Sequence, residues 1–223
     1  MFRDLTHFFS VGHELFSVGT YPVSYIEFFG TVFGIAAVWL AAQSRILTWP
    51  VGLINIALFF MIYYQVQLYS DMFLQVYFAG VALYGWFFWK EDQKNKKRIR
   101  KLNLSEKLNL FIWVAVCTAA GTYLISHLHL WFPDLFPVEA AFPFWDTLVA
   151  VASIIANTLL ARRVIENWPI WIAVDILCIY LYISKGIYFV AFEFIIFTLL
   201  AAYGWHQWEK ERVNAHDRGH AAQ

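Results

Sequence analysis

The sequence predicts an all-α membrane protein in which seven transmembrane helices form two parallel three-helix bundles joined by a linker helix, a 3+1+3 arrangement. Three observations predict it. The 223 residues are 61% hydrophobic and 20% aromatic, with 14% charged, against about 25% charged in an average soluble domain. The apolar residues fall into long runs separated by polar stretches that hold the bases. The chain also contains part of itself twice. Sliding Glu27–Asp92 onto Asp146–Glu211, an offset of 119 positions, gives 18 identities in 66 positions without a gap, where chance at this composition gives about 6 or 7.

The clearest marks of the duplication are Trp49-Pro50, which returns as Trp168-Pro169, and Tyr84-Gly85-Trp86 with Trp89, which returns as Tyr203-Gly204-Trp205 with Trp208. The first copy occupies the bundle at 21–89. Residues 1–20 precede it. They are interrupted by Arg3, Asp4, His7, His13 and Glu14 and so lack the apolar core of a cleaved signal peptide. Phe2, Leu5, Phe8 and Phe9 fall within reach of one helical face, which reads as an interfacial segment.

A spanning helix needs about 20 apolar residues. Span 1 is Glu27 to Gln43, extended upstream to Tyr21, and Gly30 and Gly34 on it make a small-xxx-small pair that lets a neighbouring helix approach. Span 2 is Trp49–Gln65 and span 3 Asp71–Trp89, with a turn near Gln65–Asp71. Thr48 is expected to cap span 2, and Pro50 sits in a first turn where its missing N–H has no helical partner. Asn167 ahead of Trp168-Pro169 repeats the device. Residues 90–107 form a loop with eight Lys and Arg, 108–126 the linker span, and 127–143 a loop with Asp134 and Glu139 but no Lys or Arg. The second bundle, 144–208, holds spans Phe144–Ala161, Trp168–Ser184 and Gly186–Trp208, and 209–223 is a polar tail.

With seven spans, 14 of the 16 Lys and Arg fall on one side, leaving Arg3 and Lys185 on the other. The bias places the 14 in the cytoplasm, with the N-terminus outside and the C-terminus inside. Three spans and a linker make an even number, so the second copy enters the membrane from the same side as the first. Such parallel repeats, related by an axis along the membrane normal, hold substrate near the midplane between the halves in transporters of the SWEET kind.

Ionisable groups deep in a span are costly and point to function. Asp175 and Glu193 are such groups, and beside their aligned positions in the first copy stand Asn55 and Gln75. Asn157 adds a third amide. A cavity lined by Asn55, Gln75, Asn157, Asp175 and Glu193 suits a polar solute with a cationic or hydrogen-bonding head; the plainer reading of the amides is hydrogen bonding between helices. Tyr63 and Tyr182, matched across the repeat, with Trp39 and Trp171, offer aromatic faces for a flat, cationic ring. Trp49, Trp86, Trp89, Trp168, Trp205 and Trp208 fall near the cytoplasmic boundary and read as an aromatic belt. Glu27, Asp71 and Asp146 sit in first turns, where helix-dipole and capping roles come first.

Other chemistries find no support. Cys117 and Cys178 stand alone in apolar runs and read as buried structural thiols. The seven histidines lie in tails, loops or span ends, which argues against an intramembrane metal or proton relay. No phosphate-binding loop or nucleophile elbow is present. Zero net charge with bases confined to loops argues against a nucleic-acid partner. The expectation is a protein that is not an enzyme and needs no cofactor.

The motifs taken together resemble the PnuC-type nicotinamide riboside transporters. They are Ile26-Glu27 with Gly30-Thr31, Trp49 with Gly52-Leu53-Ile54-Asn55, Gln65-Val66-Gln67-Leu68-Tyr69, Leu74-Gln75-Val76, Tyr84-Gly85-Trp86 with Trp89, Phe142-Pro143-Phe144-Trp145-Asp146, Glu166-Asn167-Trp168, Lys185-Gly186 with Tyr188, and Glu193. The resemblance runs from Tyr25 to Trp208. It implies a full-length SWEET-like fold, a homotrimer in a bacterial inner membrane, and uptake of nicotinamide riboside, the vitamin B3 precursor of NAD, by facilitated diffusion, with trapping by a cytoplasmic riboside kinase. No proline interrupts span 1 or span 5, unlike SWEET helices, so Gly30 and Gly34 are the hinge candidates, in the first half only. The nearest rival is a transporter of another flat vitamin such as thiamine. A seven-helix retinal-type receptor would need a lysine midway along the last span, and Lys185 is at the turn before it. A membrane-embedded enzyme is the remaining alternative.

Overall fold

The computed structural model describes residues 9–19, 21–66, 69–95, 99–134, 142–184 and 188–220. Among these, a short hairpin of β1 (Glu14–Val18) and β2 (Tyr21–Ser24) precedes seven helices: α1 (Tyr25–Ala42), α2 (Thr48–Gln65), α3 (Tyr69–Asn95), α4 (Leu104–Trp131), α5 (Pro143–Ala161), α6 (Asn167–Ser184) and α7 (Tyr188–His220). Five of them, α1, α3, α4, α5 and α6, are long and apolar enough to cross a membrane by composition alone. The 18 residues of α2 rise about 27 Å, close to the thickness of a hydrocarbon core. The fold is that of an all-α membrane protein.

The helix contacts obey the repeat. Within the first bundle α1 packs on α2 and α2 on α3; within the second α5 packs on α6 and α6 on α7. Across the halves α1 meets α7, and α3 meets α5. Because the offset turns α1 into α5 and α3 into α7, those two cross-contacts are copies of one interface. The linker α4 packs on α5, where a Cβ on Gly121 would lie 2.6 Å from the Thr147 methyl. Its other faces are apolar and open, with Phe111 71% and Trp113 64% exposed, as a lipid-facing helix requires.

The repeated tryptophans build the end of the molecule that carries the basic residues. Trp49, Trp89, Trp168 and Trp208 are each at most 3% exposed. Trp49 meets Trp89 edge-on at 5.3 Å, Trp168 meets Trp208 edge-on at 5.4 Å, and Trp89 and Trp208 join the pairs at 6.0 Å. Each outer indole lies where a side chain would otherwise stand: a Cβ on Gly85 would be 2.4 Å from Trp49, and one on Gly204 2.6 Å from Trp168. The conserved spacing of the two copies is therefore a packing unit, in which glycine on the third helix of a bundle receives the tryptophan that opens the second. For these four residues the belt assignment is corrected. Trp86 and Trp205, 37% and 45% exposed, remain at the surface.

Both copies end their first helix in the same way. Arg45 N–H donates to Leu40 and Ser44 N–H to Ala41 after α1; Val164 N–H donates to Leu159 and Arg163 N–H to Leu160 after α5. Ser44 and Arg163 both take φ 54°. These are paired Schellman caps with a non-glycine residue in the left-handed position. Thr48 does not cap α2, whose N-cap is Leu47 without a side-chain bond; its hydroxyl donates instead to Ala37 of α1 at 2.8 Å. The Asn167 amide donates to the Val164 carbonyl at 2.7 Å.

The polar segment between bundles docks on this end. Arg100 pairs with Val164 in an isolated parallel bridge, Ile99 is 5% exposed, and Leu102 N–H and Lys107 both reach Glu166, each at 3.1 Å. Asn103 and Glu106 form a capping box that starts α4.

At the opposite end the sequence expectation for residues 1–20 changes. Residues 1–8 and 20 lie outside the described residues, and 9–19 form a turn and the first hairpin strand. Gln65 at the end of α2 ties it down, donating to Phe9 O at 2.8 Å and accepting from Val11 N–H at 3.1 Å. Cys178 is buried as expected, but Cys117 is exposed, because α4 shows most of its surface.

Candidate functional site

Asn55 sits on α2 where the Gly30 and Gly34 face of α1 leaves room for it. Its Nδ2 donates to the Gly30 carbonyl at 2.8 Å, and a Cβ on Gly34 would lie 2.9 Å from that same nitrogen. The small-xxx-small pair thus admits an amide as well as a helix: Phe59 fills the space at Gly30, and Asn55 with Phe197 that at Gly34.

Trp171, Asp175, Cys178 and Tyr182 share one face of α6 by their spacing. Asp175 is 3% exposed, and Val174 and Cys178 beside it form a small core cluster with Ala152, against which Trp171, Tyr182 and Phe194 pack. Tyr182 stacks on Phe194 at 5.5 Å, next in sequence to Glu193. Trp171 also borders the tryptophan core, so one indole connects the sealed end to the polar face.

Glu193 lies on α7, half-buried, beside Thr31 of α1 and within electrostatic reach of Glu27. The interface of α1 with α7 thereby faces a carboxylate from the second half toward the first. Gln75 and Asn157 are half-buried on α3 and α5, the pair of helices that forms the equivalent interface. Tyr63 is half-buried against Phe59, 5.9 Å between ring centres. Trp39 stands apart, 46% exposed.

Sequence reasoning passed over three residues here. Tyr21, on β2, donates its hydroxyl to Glu27 at 2.5 Å. Burial first, then the Glu27 carboxylate, push the Tyr21 hydroxyl pKa above its ordinary value, and Glu193 and Tyr182 add to the effect. Ser24 caps α1 through Glu27 N–H, so the Glu27 side chain is not needed as a cap. Thr31, 9% exposed, has no hydrogen-bond partner of normal geometry. The available signal was Glu27 standing three residues after a capping serine, which leaves its carboxylate without a local duty.

A separate crevice of about 380 Å³ opens between α3 and α5, lined by Val76, Tyr77, Gly80, Val81, Tyr84, Thr158 and Arg162. Tyr77 closes one side of it with a 2.7 Å bond to Thr158. None of the nine sequence candidates lines it.

Comparison with known proteins agrees with this architecture. Residues 24–210 match the family model described as nicotinamide mononucleotide transporter. The chain is 33% identical to the nicotinamide riboside transporter PnuC of Escherichia coli (strain K12) over 242 aligned positions, covering 96% of this chain and 98% of that protein. It is 25% identical to the riboflavin/roseoflavin transporter RibM of Streptomyces davaonensis, over 87% of this chain and 89% of that one. The crystal structure of the vitamin B3 transporter PnuC superposes with a TM-score of 0.63 at 21% identity, covering 85% of this chain and 83% of that chain. The fold, the repeat and the extent of these matches make the chain a membrane transporter belonging to the nicotinamide mononucleotide transporter family.

Proposed function

We propose that the protein imports nicotinamide riboside across a bacterial inner membrane by facilitated diffusion. The observation that carries this reading is a set of two carboxylates and three amides, Asp175, Glu193, Asn55, Gln75 and Asn157, inside otherwise apolar helices of a chain 33% identical to a riboside transporter. The riboside's pyridinium ring is a flat cation. Carboxylates neutralise it, Trp171, Tyr182 and Tyr63 supply aromatic walls, and the amides meet ribose hydroxyls.

In this reading the hairpin end faces outside and the tryptophan end faces the cytoplasm, where Arg45, Arg162, Arg163, Lys210 and Arg212 lie. The bundles at 21–89 and 144–208 are the moving units, the SWEET-like halves, and they rock about the site to give alternating access. The contacts of Trp89 with Ala161 and of Trp208 with Ala41 hold the cytoplasmic side shut in the conformation seen here. The open faces of α4 serve lipid and the subunit contacts of a homotrimer. Phosphorylation by a cytoplasmic riboside kinase traps the product.

The second reading is a transporter of another flat vitamin, favoured by the 25% identity to a riboflavin transporter. Proteoliposomes separate the two. Uptake of labelled nicotinamide riboside, competed by unlabelled riboside and not by riboflavin or thiamine, supports the first. Competition by riboflavin or thiamine without riboside uptake overturns it.

A further inference from the structure

The hairpin end places two carboxylates near each other with no base between them. Glu27 stands in the first turn of α1 and Glu193 five residues into α7, the helix packed against α1. Among the described residues neither forms an ion pair. Tyr21 holds Glu27 by a 2.5 Å bond, and the hairpin that carries Tyr21 is anchored to α2 through Gln65. Beside Glu193, one helical turn along α1 from Glu27, lies the buried hydroxyl of Thr31, without a hydrogen-bond partner of normal geometry. A hydroxyl so buried gains from any well-aligned hydrogen bond a ligand offers it, and two neighbouring carboxylates repel until a cation lies between them.

We propose that Glu27 is the second carboxylate of the substrate site: with Glu193 it forms an acidic clamp on the outer side, taking the positively charged ring of the substrate, while Thr31 bonds a polar group on the same molecule. This rests on the import of nicotinamide riboside proposed above and adds a residue from the first half to the cation site. Tyr21 is a positioning residue that aims the Glu27 carboxylate inward. Because Glu27 belongs to α1 and Glu193 to α7, a cation between them draws the two halves together at the end opposite the tryptophans.

The test compares two probes of the same shape class, nicotinamide riboside and its reduced dihydro form, whose ring is uncharged. Binding to purified full-length wild type, Glu27→Gln and Glu27→Asp is measured by calorimetry in detergent. Glu27→Gln keeps an acceptor for the Tyr21 hydroxyl, so the hairpin stays anchored, and an unchanged melting temperature confirms it. Glu27→Gln is expected to weaken binding of the cationic form about tenfold and leave the reduced form within twofold, with Glu27→Asp restoring the preference for charge. An equal loss for both forms, or no loss for either, overturns the assignment while leaving riboside transport standing. Wild type that binds neither form overturns the transport reading and the assignment together.

Discussion

Ser44 and Arg163 occupy the same position in the two copies, and they touch: the Arg163 Nη2 donates to the Ser44 carbonyl at 3.3 Å. Equivalent residues can meet only at the axis that relates them, so this bond marks where the pseudo-twofold passes through the basic end. Around it the symmetry breaks in a useful way. Arg163 lies over Trp89 at 4.5 Å and 3.9 Å from Glu211, while Ser44 bonds Glu211 at 2.6 Å. One half supplies the cation, the other its carbonyl partner and the ring beneath it.

The glycines that receive the outer indoles do not tolerate a methyl group. Gly85→Ala and Gly204→Ala each are expected to cost about 1–3 kcal/mol through overpacking, read as a lower melting temperature in detergent. Gly80→Ala, with nothing within 4 Å of its added carbon, is the neutral control.

Trp89 and Trp208 each donate to a carbonyl of the opposite half. Trp89→Phe strands the buried Ala161 carbonyl, at about 1–3 kcal/mol, and Trp208→Phe costs less, about 0.5–1.5 kcal/mol, because the Ala41 carbonyl keeps the Ser44 N–H. Because the rings are 6.0 Å apart, the double variant is expected to depart from additivity by at least about 0.5 kcal/mol. A double-mutant cycle on thermal stability measures it.

Gly34→Ala drives a methyl group into the Asn55 amide, 2.9 Å away. The amide must leave the Gly30 carbonyl or α2 must shift. Riboside affinity is expected to fall several-fold with expression retained, as calorimetry would show, and Asn55→Ala in the Gly34→Ala background should relieve the packing defect without restoring affinity.

Gln75→Ala and Glu193→Ala are each expected to weaken riboside binding at least tenfold, or about 1.4 kcal/mol, because a polar ligand loses a partner inside lipid. Normal affinity in both variants removes them from the site.

Beyond the last span, Arg212 bonds Glu209 and holds its carboxyl below the ordinary value of 4.5. A depressed pKa contributes stability that is full above the unfolded value and is lost as pH falls through the folded one. With the Glu209 side chain 38% exposed, the contribution is about 0.3–0.5 kcal/mol. Glu209→Gln should therefore lower the melting temperature slightly at pH 7 and by progressively less as the pH falls below the ordinary carboxylate range.

Seven helices and the two-copy arrangement were readable because apolar run length and an ungapped repeat are direct consequences of crossing lipid twice with one design. The role of the repeated tryptophans was not. In sequence, a Trp near a span end has the same look whether it meets headgroups or another Trp, and only the glycine four residues before Trp89 and Trp208 hinted at a ring needing space. The deep carboxylates could be found because charge within an apolar run is rare. Glu27 escaped for the opposite reason: acids in first turns are common, and the duty of capping was already taken by Ser24. The hairpin carrying Tyr21 was hidden by its short length and by the apolar run after it, which drew Tyr21–Ser24 into span 1.

The quartet of indoles also gives the molecule a built-in optical label. Chromophores packed at 5 to 6 Å, edge-on in the outer pairs and tilted in the central one, share their excited states, and the central pair spans the boundary between halves. Circular dichroism of the unlabelled protein should carry an exciton band from this quartet, and its amplitude should report any change in how the two halves pack at this end.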